Sequence, residues 1–360
     1  MSPAGISWQA TQKPVVITGG AGFIGCNLAR SFMLAGRPVR IIDNLSRAGV
    51  EQNLEWLRRE FGPLLAFVKA DTVDYGAIAP YLTDAAAVFH FAAQTAVTTS
   101  LDDPVDDFRT NAQGTLNVLE AVRRSGQRTP VIFSSTNKVY GDLADLTMAD
   151  TGDRYWPIDT SIAARGIGEE RGLDFCTPYG CSKGVADQYV LDYCSSYDLP
   201  TAVLRMSCIY GPRQFGTEDQ GWVAHFLIRA MQGDRISIYG DGKQVRDVLF
   251  VDDAVAAYRA VLANIEAAKG RAFNLGGGPA NAVSVQQVLG EIEALVGRPL
   301  LTAAGEWRRG DQLYFVSDTA TLREAVGWRP QTGWRDGIRQ LYDWLTATRV
   351  VARPLARASA

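Results

Sequence analysis

Six short apolar runs, rich in β-branched residues and separated by helical patterns, constrain this chain more than any other feature. They are PVVIT from Pro14, VRIID from Val39, LAFVKA from Leu65, AVFHFAA from Ala87, PVIFSST from Pro130 and TAVLRMS from Thr201. A strand apolar on both faces needs a sheet covered on both sides. A buried helix could imitate one such run, but hardly six in series. The alternation predicts an α/β fold with a Rossmann-type doubly wound parallel sheet.

After Ser207 the character changes. The stretch from Gly211 to Asp253 is richer in Gly, Asp, Arg and Gln, and ISIYGDGKQVRDVLF reads as hairpin-like, turning at Gly240-Asp241-Gly242. A strand-like AFNLGG follows from Ala272, and then a polar, tryptophan-bearing region. The expected layout is a Rossmann domain over residues 14–206 with strands returning around 247–276. A smaller C-terminal substrate-binding lobe would use residues 207–246 and 277–348. Residues 1–13 and 349–360 are expected to be flexible. A chain of 360 residues exceeds what one core usually supports, which fits a large domain plus a lobe.

A formal net charge of -3 offers no field to attract nucleic acid or an anionic membrane, so neither is expected as a partner. An anionic ligand must be met by local arginines. No apolar stretch approaches the ~20 residues that span a bilayer, and the first dozen residues do not read as a secretion signal. The five cysteines (Cys26, Cys176, Cys181, Cys194, Cys208) form no C-x-x-C pair, and His90 and His225 are the two histidines. No metal site is expected, and a reducing, cytoplasmic compartment is.

The first run leads into Thr18-Gly-Gly-Ala-Gly-Phe-Ile-Gly25, with a helix opening near Phe23. Gly20, Gly22 and Gly25 fit G-x-G-x-x-G; Gly19, Gly22 and Gly25 fit the wider G-x-x-G-x-x-G. Glycine allows the sharp turn and lets a pyrophosphate approach the free N–H groups of a helix N-terminus. Strand, turn and helix in this order predict a dinucleotide site. Asp43 ends the second strand at the spacing of the acid that binds an adenosine ribose, and it would repel a 2′-phosphate, favouring NAD over NADP. A turn formed by Asp43-Asn44 is the alternative, and Arg47 lies close enough to weaken the exclusion of NADP. For Asp71, at the end of the third strand, adenine contact and loop capping are both open.

Tyr179 and Lys183 lie four apart in TPYGCSKG and share a helix face. Thr177 as N-cap and Pro178 as the first helical residue place Tyr179 in an exposed first turn. To act as a base near neutrality, a phenol with a pKa of about 10 needs a downward shift of roughly three units. An ammonium and a positively charged nicotinamide both push that way. The fifth strand ends in FSSTNKVYG from Phe133, which sets hydroxyls at the carboxyl edge of the sheet, where such folds bind ligands. Thr136 is the candidate to hold a substrate alcohol while Tyr179 takes its proton; capping of the following segment is the alternative.

The glycine turn, FAAQ from Phe91, NAQGT from Asn111, SSTNKVYGD from Ser134, YGCSK from Tyr179 and GDGKQVRDVLFVDD from Gly240 together resemble the extended short-chain dehydrogenase/reductase family. The match runs from about Val15 to Trp344. It implies an NAD-dependent enzyme acting on the sugar of a nucleotide-sugar, with Thr136, Tyr179 and Lys183 as its catalytic set. Lys183 would also hold the nicotinamide ribose. Cofactor contacts are implied for Gly19, Gly22, Phe23, Ile24, Gly25, Asp43, Asn44 and Asp71. Further along the chain they are implied for Ala92, Ala93, Gln94, Asn111 and Ser134. On the substrate side stand Asn137, Lys138 and Gln220, with Arg246 and Arg308 gripping the pyrophosphate as bidentate guanidinium groups do. A surface ion pair is the alternative for either arginine. A homo-oligomer is expected.

Within the family, sugar-nucleotide 4,6-dehydratases carry Asp-Glu after the catalytic hydroxyl, and decarboxylases also carry a glutamate. Asn137-Lys138 stands here, and lysine cannot replace a carboxylic acid in moving those protons. Epimerisation or simple dehydrogenation is left. The finer likeness, in SSTNKVYGD, YGPRQFGTEDQGWV and GDGKQVRDVL, is to members that invert C2 of a CDP-linked sugar. Cys208, where 4-epimerases often show Asn, weighs against inversion at C4. A UDP- or dTDP-sugar epimerase and a non-catalytic NAD-binding sensor or scaffold are the rival readings.

Overall fold

The computed structural model describes residues 12–348. The termini expected to be flexible therefore lie outside the described residues, except for positions 12 and 13.

All six apolar runs become strands: β1 (Val15–Thr18), β2 (Val39–Asp43), β3 (Leu65–Lys69), β4 (Ala87–His90), β5 (Val131–Thr136) and, after the short pair β6 (Met148–Asp150) and β7 (Tyr155–Pro157), β8 (Thr201–Met206). Then come β9 (Cys208–Tyr210), β10 (Ile236–Tyr239), β11 (Val245–Phe250) and β12 (Arg271–Leu275). Seven strands form one parallel sheet in the order β12-β8-β5-β4-β1-β2-β3. Val15 and Ile17 point to one face and pack with Phe32 and Phe89, whereas Val16 and Val88 point to the other and pack with Val118 and Val190. Both faces are buried along the central strands, as the runs predicted, while β3 at the sheet edge is partly exposed. Burying each Val or Ile contributes about 1.5–3 kcal/mol, and the flanking helices fix which residues face which side.

The lobe adds β13 (Ala282–Ser284), β14 (Thr302–Gly305) and β15 (Tyr314–Phe315). β11 pairs antiparallel with β13 and parallel with β15 and β9. Tyr210, Phe226, Phe250, Ile292 and Leu341 form its core, with helices Trp222–Gln232, Val285–Val296 and Trp334–Thr348. The expected hairpin does not form. Gly240 and Gly242 both turn at φ +77, but β10 runs parallel to β14 while β11 enters another sheet. Every residue of β11 is buried, so it requires neighbours on both edges, which a hairpin cannot supply. Of the strands expected to return to the main sheet, β12 does so and β11 does not.

The β6–β7 pair fastens the segment after β5 to the lobe. The Tyr155 amide donates to the Lys243 carbonyl at 2.9 Å, and Lys243 Nζ to Asp150 at 2.7 Å. Among the described residues, no helix is long and apolar enough to cross a membrane.

Candidate active site

β1 ends against β4 with almost nothing between them. Gly19 turns at φ +66, and a Cβ there would stand 2.6 Å from the Ala92 amide nitrogen. At Gly25 a Cβ would meet the Gly19 carbonyl oxygen at 2.5 Å. Gly22 precedes the helix Phe23–Leu34, and no side chain caps that helix's first turn. Its exposed N–H groups face a chamber of about 210 Å³ lined by Gly19, Gly22, Phe23, Ile24 and Gly25.

Asp43, Asn44, Asp71, Ala92, Ala93, Ser134, Tyr179 and Lys183 line the same chamber. Asp43 accepts from the Ala21 amide at 3.0 Å and the Leu45 amide at 2.9 Å, while burial raises its carboxyl above the ordinary range. Asp71 both faces the chamber and caps its own loop, accepting from the Val73 amide at 2.9 Å and from Asn44 Nδ2 at 2.8 Å. Glycines that a Cβ would fill, an uncapped helix N-terminus and an acid closing β2 together fit an adenine dinucleotide.

Two sequence candidates lie behind this wall and not on it. Asn111 is 1% exposed. Its Oδ1 accepts from the Gln94 amide at 2.9 Å, and its Nδ2 donates to Ser182 Oγ at 3.0 Å and Asp107 Oδ1 at 3.1 Å. Gln94 Nε2 donates to the Ala96 carbonyl at 2.8 Å. Both brace the wall, and their neighbours Thr95 and Thr110 line the chamber instead.

Tyr179 stands where this chamber meets a larger one of about 560 Å³, and it lines both. It is not in an exposed turn: only 9% of it is accessible. The helix Val97–Asp102 covers it, and Ser100 Oγ accepts from the Tyr179 amide at 3.2 Å. Cys176, one residue earlier than expected, is the N-cap, although Thr177 Oγ1 still accepts from the Gly180 amide at 3.4 Å. Burial pushes the phenol up to about 12, with the Thr136 hydroxyl acting in the lowering direction. The lowering expected from Lys183 does not govern this group. Lys183 donates Nζ to the Ser134 carbonyl at 2.6 Å and lies 4.1 Å from the Phe133 ring centroid. Burial lowers its ammonium to about 7, opposed by Asp187 and Asp107. Thr136 caps the following segment, its Oγ1 accepting from the Lys138 amide at 3.2 Å, and it also lines the larger chamber.

Asn137, Lys138, Gln220, Arg246 and Arg308 all line the larger chamber. Arg246 reaches in from β11 and donates to Asp311 at 2.6 Å and to the Val245 carbonyl at 2.8 Å. Arg308 lies 3.9 Å over the Tyr239 ring, donates to the Glu218 carbonyl at 3.1 Å and pairs with Asp219 at 3.4 Å. Each arginine therefore reaches the chamber and has an acidic partner as well. Lys138 donates to the Gly310 carbonyl at 3.0 Å. Burial, helped by Arg246, lowers its ammonium to about 8. The Trp222 indole N–H donates to Cys208 Sγ at 3.3 Å, ordering an aromatic plane in the wall.

Sequence reasoning missed Arg213, Gln214 and Asp311. Asp311 lies three residues after Arg308. Arg213 and Gln214 lie in YGPRQFG, but Arg213 acquires its direction from a left-handed backbone, φ +73, which no local pattern announces.

The sequence profile of the NAD dependent epimerase/dehydratase family matches residues 15–276. The chain belongs to that family. It is an NAD-dependent enzyme of the nucleotide-sugar epimerase and dehydratase class, and the Rossmann-type α/β fold expected from the strand pattern is the fold it has. The CDP-paratose 2-epimerase of Salmonella typhi is 41% identical over 342 residues, which cover 92% of this chain and 99% of that protein. Among solved structures, the UDP-glucose 4-epimerase of Thermotoga maritima with UDP-glucose superposes with a TM-score of 0.80 at 28% identity, covering 93% of this chain and 99% of the other. The UDP-glucose 4-epimerase of Thermus thermophilus in complex with NAD gives 0.77 at 29% identity, covering 92% and 99%.

Proposed function

We propose that this protein interconverts CDP-paratose and CDP-tyvelose by inverting C2 of the sugar. The observation that carries this reading is the 41% identity, along 99% of its length, to the Salmonella typhi CDP-paratose 2-epimerase. The residues after Thr136 agree with it. Asn137 bonds to Gln312 Oε1 at 3.2 Å and Lys138 is held by Gly310, so no carboxylic acid stands in that position to eliminate water or carbon dioxide.

In this reading Thr136 holds the C2 hydroxyl while Tyr179 takes its proton. When bound, NAD would supply the hydride acceptor, and its positive charge in the oxidised state would counter the effect of burial on the Tyr179 phenol. Lys183, anchored on the Ser134 carbonyl, holds the nicotinamide ribose. Arg246 and Arg308 turn from Asp311 and Asp219 to the substrate pyrophosphate and keep the nucleotide in place. The chamber's volume of about 560 Å³ leaves the keto sugar room to present its other face. Tyr179 then returns the proton as the alcohol is restored. Holding both reactants in register supplies much of the acceleration.

A UDP- or dTDP-sugar 4-epimerase is the second reading, favoured by the likeness to the Thermotoga maritima enzyme. Offering CDP-, UDP- and dTDP-hexoses side by side and reading the sugar configuration by NMR decides between them. Conversion of UDP-glucose to UDP-galactose with CDP-sugars untouched would overturn the C2 reading.

The five free cysteines accord with work in a reducing cytoplasm. Leu101, Val105, Phe108 and Tyr189, exposed between 39% and 60%, offer an apolar surface suited to a second copy of the chain. Light scattering of the purified protein tests that inference, and a monomer at micromolar concentration would remove it.

A further inference from the structure

The segment Gly211–Gly221, between β9 and helix Trp222–Gln232, sends side chains into both chambers. Gln214 and Gln220 line both of them, whereas Arg213 and Phe215 line the cofactor chamber. Its course is fixed from outside: Asn27 Nδ2 donates to the Pro212 carbonyl at 3.1 Å, and Asn53 Nδ2 to the Arg213 carbonyl at 3.3 Å. Arg213 adopts φ +73, a left-handed conformation unfavourable for any side chain with a Cβ. Strain of this kind persists where the surrounding structure demands it. Here it lays the guanidinium 3.7 Å over the Trp56 ring, with the Trp344 ring at 5.5 Å.

Stacking on indoles holds the cation but leaves its N–H donors unused. Among the described residues, Arg213 makes no ion pair and no side-chain hydrogen bond. The other cations lining this chamber are Arg47 and Lys183, and Lys183 is already engaged with the Ser134 carbonyl. A dinucleotide pyrophosphate brings two negative charges, whereas a helix N-terminus offers about half a positive one. A guanidinium suits the remaining phosphate oxygens. At the junction of the chambers, Gln214 Oε1 is buried without a partner, so the segment holds an unspent acceptor as well as an unspent donor.

We propose that Arg213 clamps the pyrophosphate of the bound dinucleotide, and that segment Gly211–Gly221 thereby couples cofactor binding to substrate binding. The coupling follows because Arg213 and the chamber-bridging Gln214 and Gln220 belong to one short segment, whose backbone Asn27 and Asn53 hold beside Arg213. A nucleotide-sugar resting on the glutamines holds the arginine over the cofactor, and linkage makes the effect reciprocal. This second part rests on the larger chamber being the nucleotide-sugar site.

The test titrates NAD and adenosine into protein stripped of cofactor, comparing the parent with Arg213→Met, which keeps an apolar stem over Trp56. The expected result is at least tenfold weaker NAD binding by the variant and unchanged adenosine binding, since adenosine has no phosphate. Equal NAD affinity within twofold, or an equal loss for adenosine, overturns the clamp. Arg213→Lys provides a milder charged variant, and melting curves of both stripped variants establish that they fold. In the second arm, saturating CDP, UDP or dTDP is added before NAD. A nucleotide that raises NAD affinity about fivefold in the parent and not in Arg213→Met supports the coupling. Equal enhancement in both proteins, or none with a nucleotide shown to bind, overturns it. Coupling by UDP alone would sink the CDP assignment and leave the clamp standing.

Discussion

The two chambers that meet at Tyr179 are built from different materials. One wall of the smaller one is backbone: glycines 19, 22 and 25, the uncapped end of a helix, the end of β2 at Asp43 and the turn after β4 at Ala92. The larger one is made of long side chains from distant parts of the chain, with Lys138, Gln220, Arg246 and Arg308 converging on one space. A site made of backbone has no slack, since a single added methyl group at Gly19 meets another chain segment at 2.6 Å. A site made of side chains can be retuned one residue at a time. In the proposed reading, the contrast lets one family keep its cofactor and vary its sugar.

The largest effect is expected at the junction. Tyr179→Phe should lower kcat by a factor of about 10²–10⁴, the usual contribution of a positioned proton-transfer group, and leave the NAD dissociation constant within threefold. Retention of a tenth of parental turnover would remove Tyr179 from the role assigned to it. Gly19→Ala should act on the backbone chamber, lowering stability by about 1–3 kcal/mol through its left-handed φ and the clash. Calorimetry with and without NAD should then show that the ligand no longer raises the melting temperature. Normal NAD stabilisation in that variant would mean the turn has slack after all.

Arg246→Lys should disturb the side-chain chamber alone. Losing the planar fork is expected to reduce kcat/KM for the nucleotide-sugar by about ten- to a hundredfold, with NAD still retained through gel filtration. Loss of NAD from that variant would break the division between the chambers.

The same division governs how much could be read from sequence. Residues 15–25 are contiguous, so strand, glycine turn and helix N-terminus announced themselves together, and Asp43 followed at the next strand end. The pairing of Tyr179 with Lys183 was visible as a four-residue spacing, but the burial of Tyr179 was not. Its cover is Val97–Asp102, VTTSLD, which carries no amphipathic signal of its own. Arg246 and Arg308 entered through family likeness, since nothing local distinguishes a phosphate-binding arginine from an ion-paired one. The hairpin reading failed at β10 and β11 because the turn residues are genuine while strand partners are chosen by burial elsewhere in the lobe. Arg213 was beyond reach, since Trp56 and Trp344 meet only in the folded chain.

The smallest effect on turnover concerns the support behind the backbone chamber. His90, at the end of β4, lies 2.6 Å from Thr18 Oγ1 and 3.0 Å from Thr115 Oγ1, and burial lowers its pKa to about 3. The unfolded chain takes up a proton near pH 6.5, which the native state refuses until about pH 3. The native fold is therefore stabilised above this window and loses stability as pH falls through it, by at most about 1.4 kcal/mol per pH unit. His90→Asn should flatten this acid limb in denaturant titrations between pH 6.5 and 4. An unchanged slope would show that other groups carry it.

The proposed reaction inverts C2 by hydride removal and return within one site. The most direct measurement follows CDP-paratose labelled with deuterium at C2, incubated with the enzyme in ordinary water and monitored by NMR. CDP-tyvelose is expected to form with the deuterium still at C2, because the hydride that leaves is the one that returns. Product formed with solvent hydrogen at C2 would contradict it, pointing instead to deprotonation at carbon.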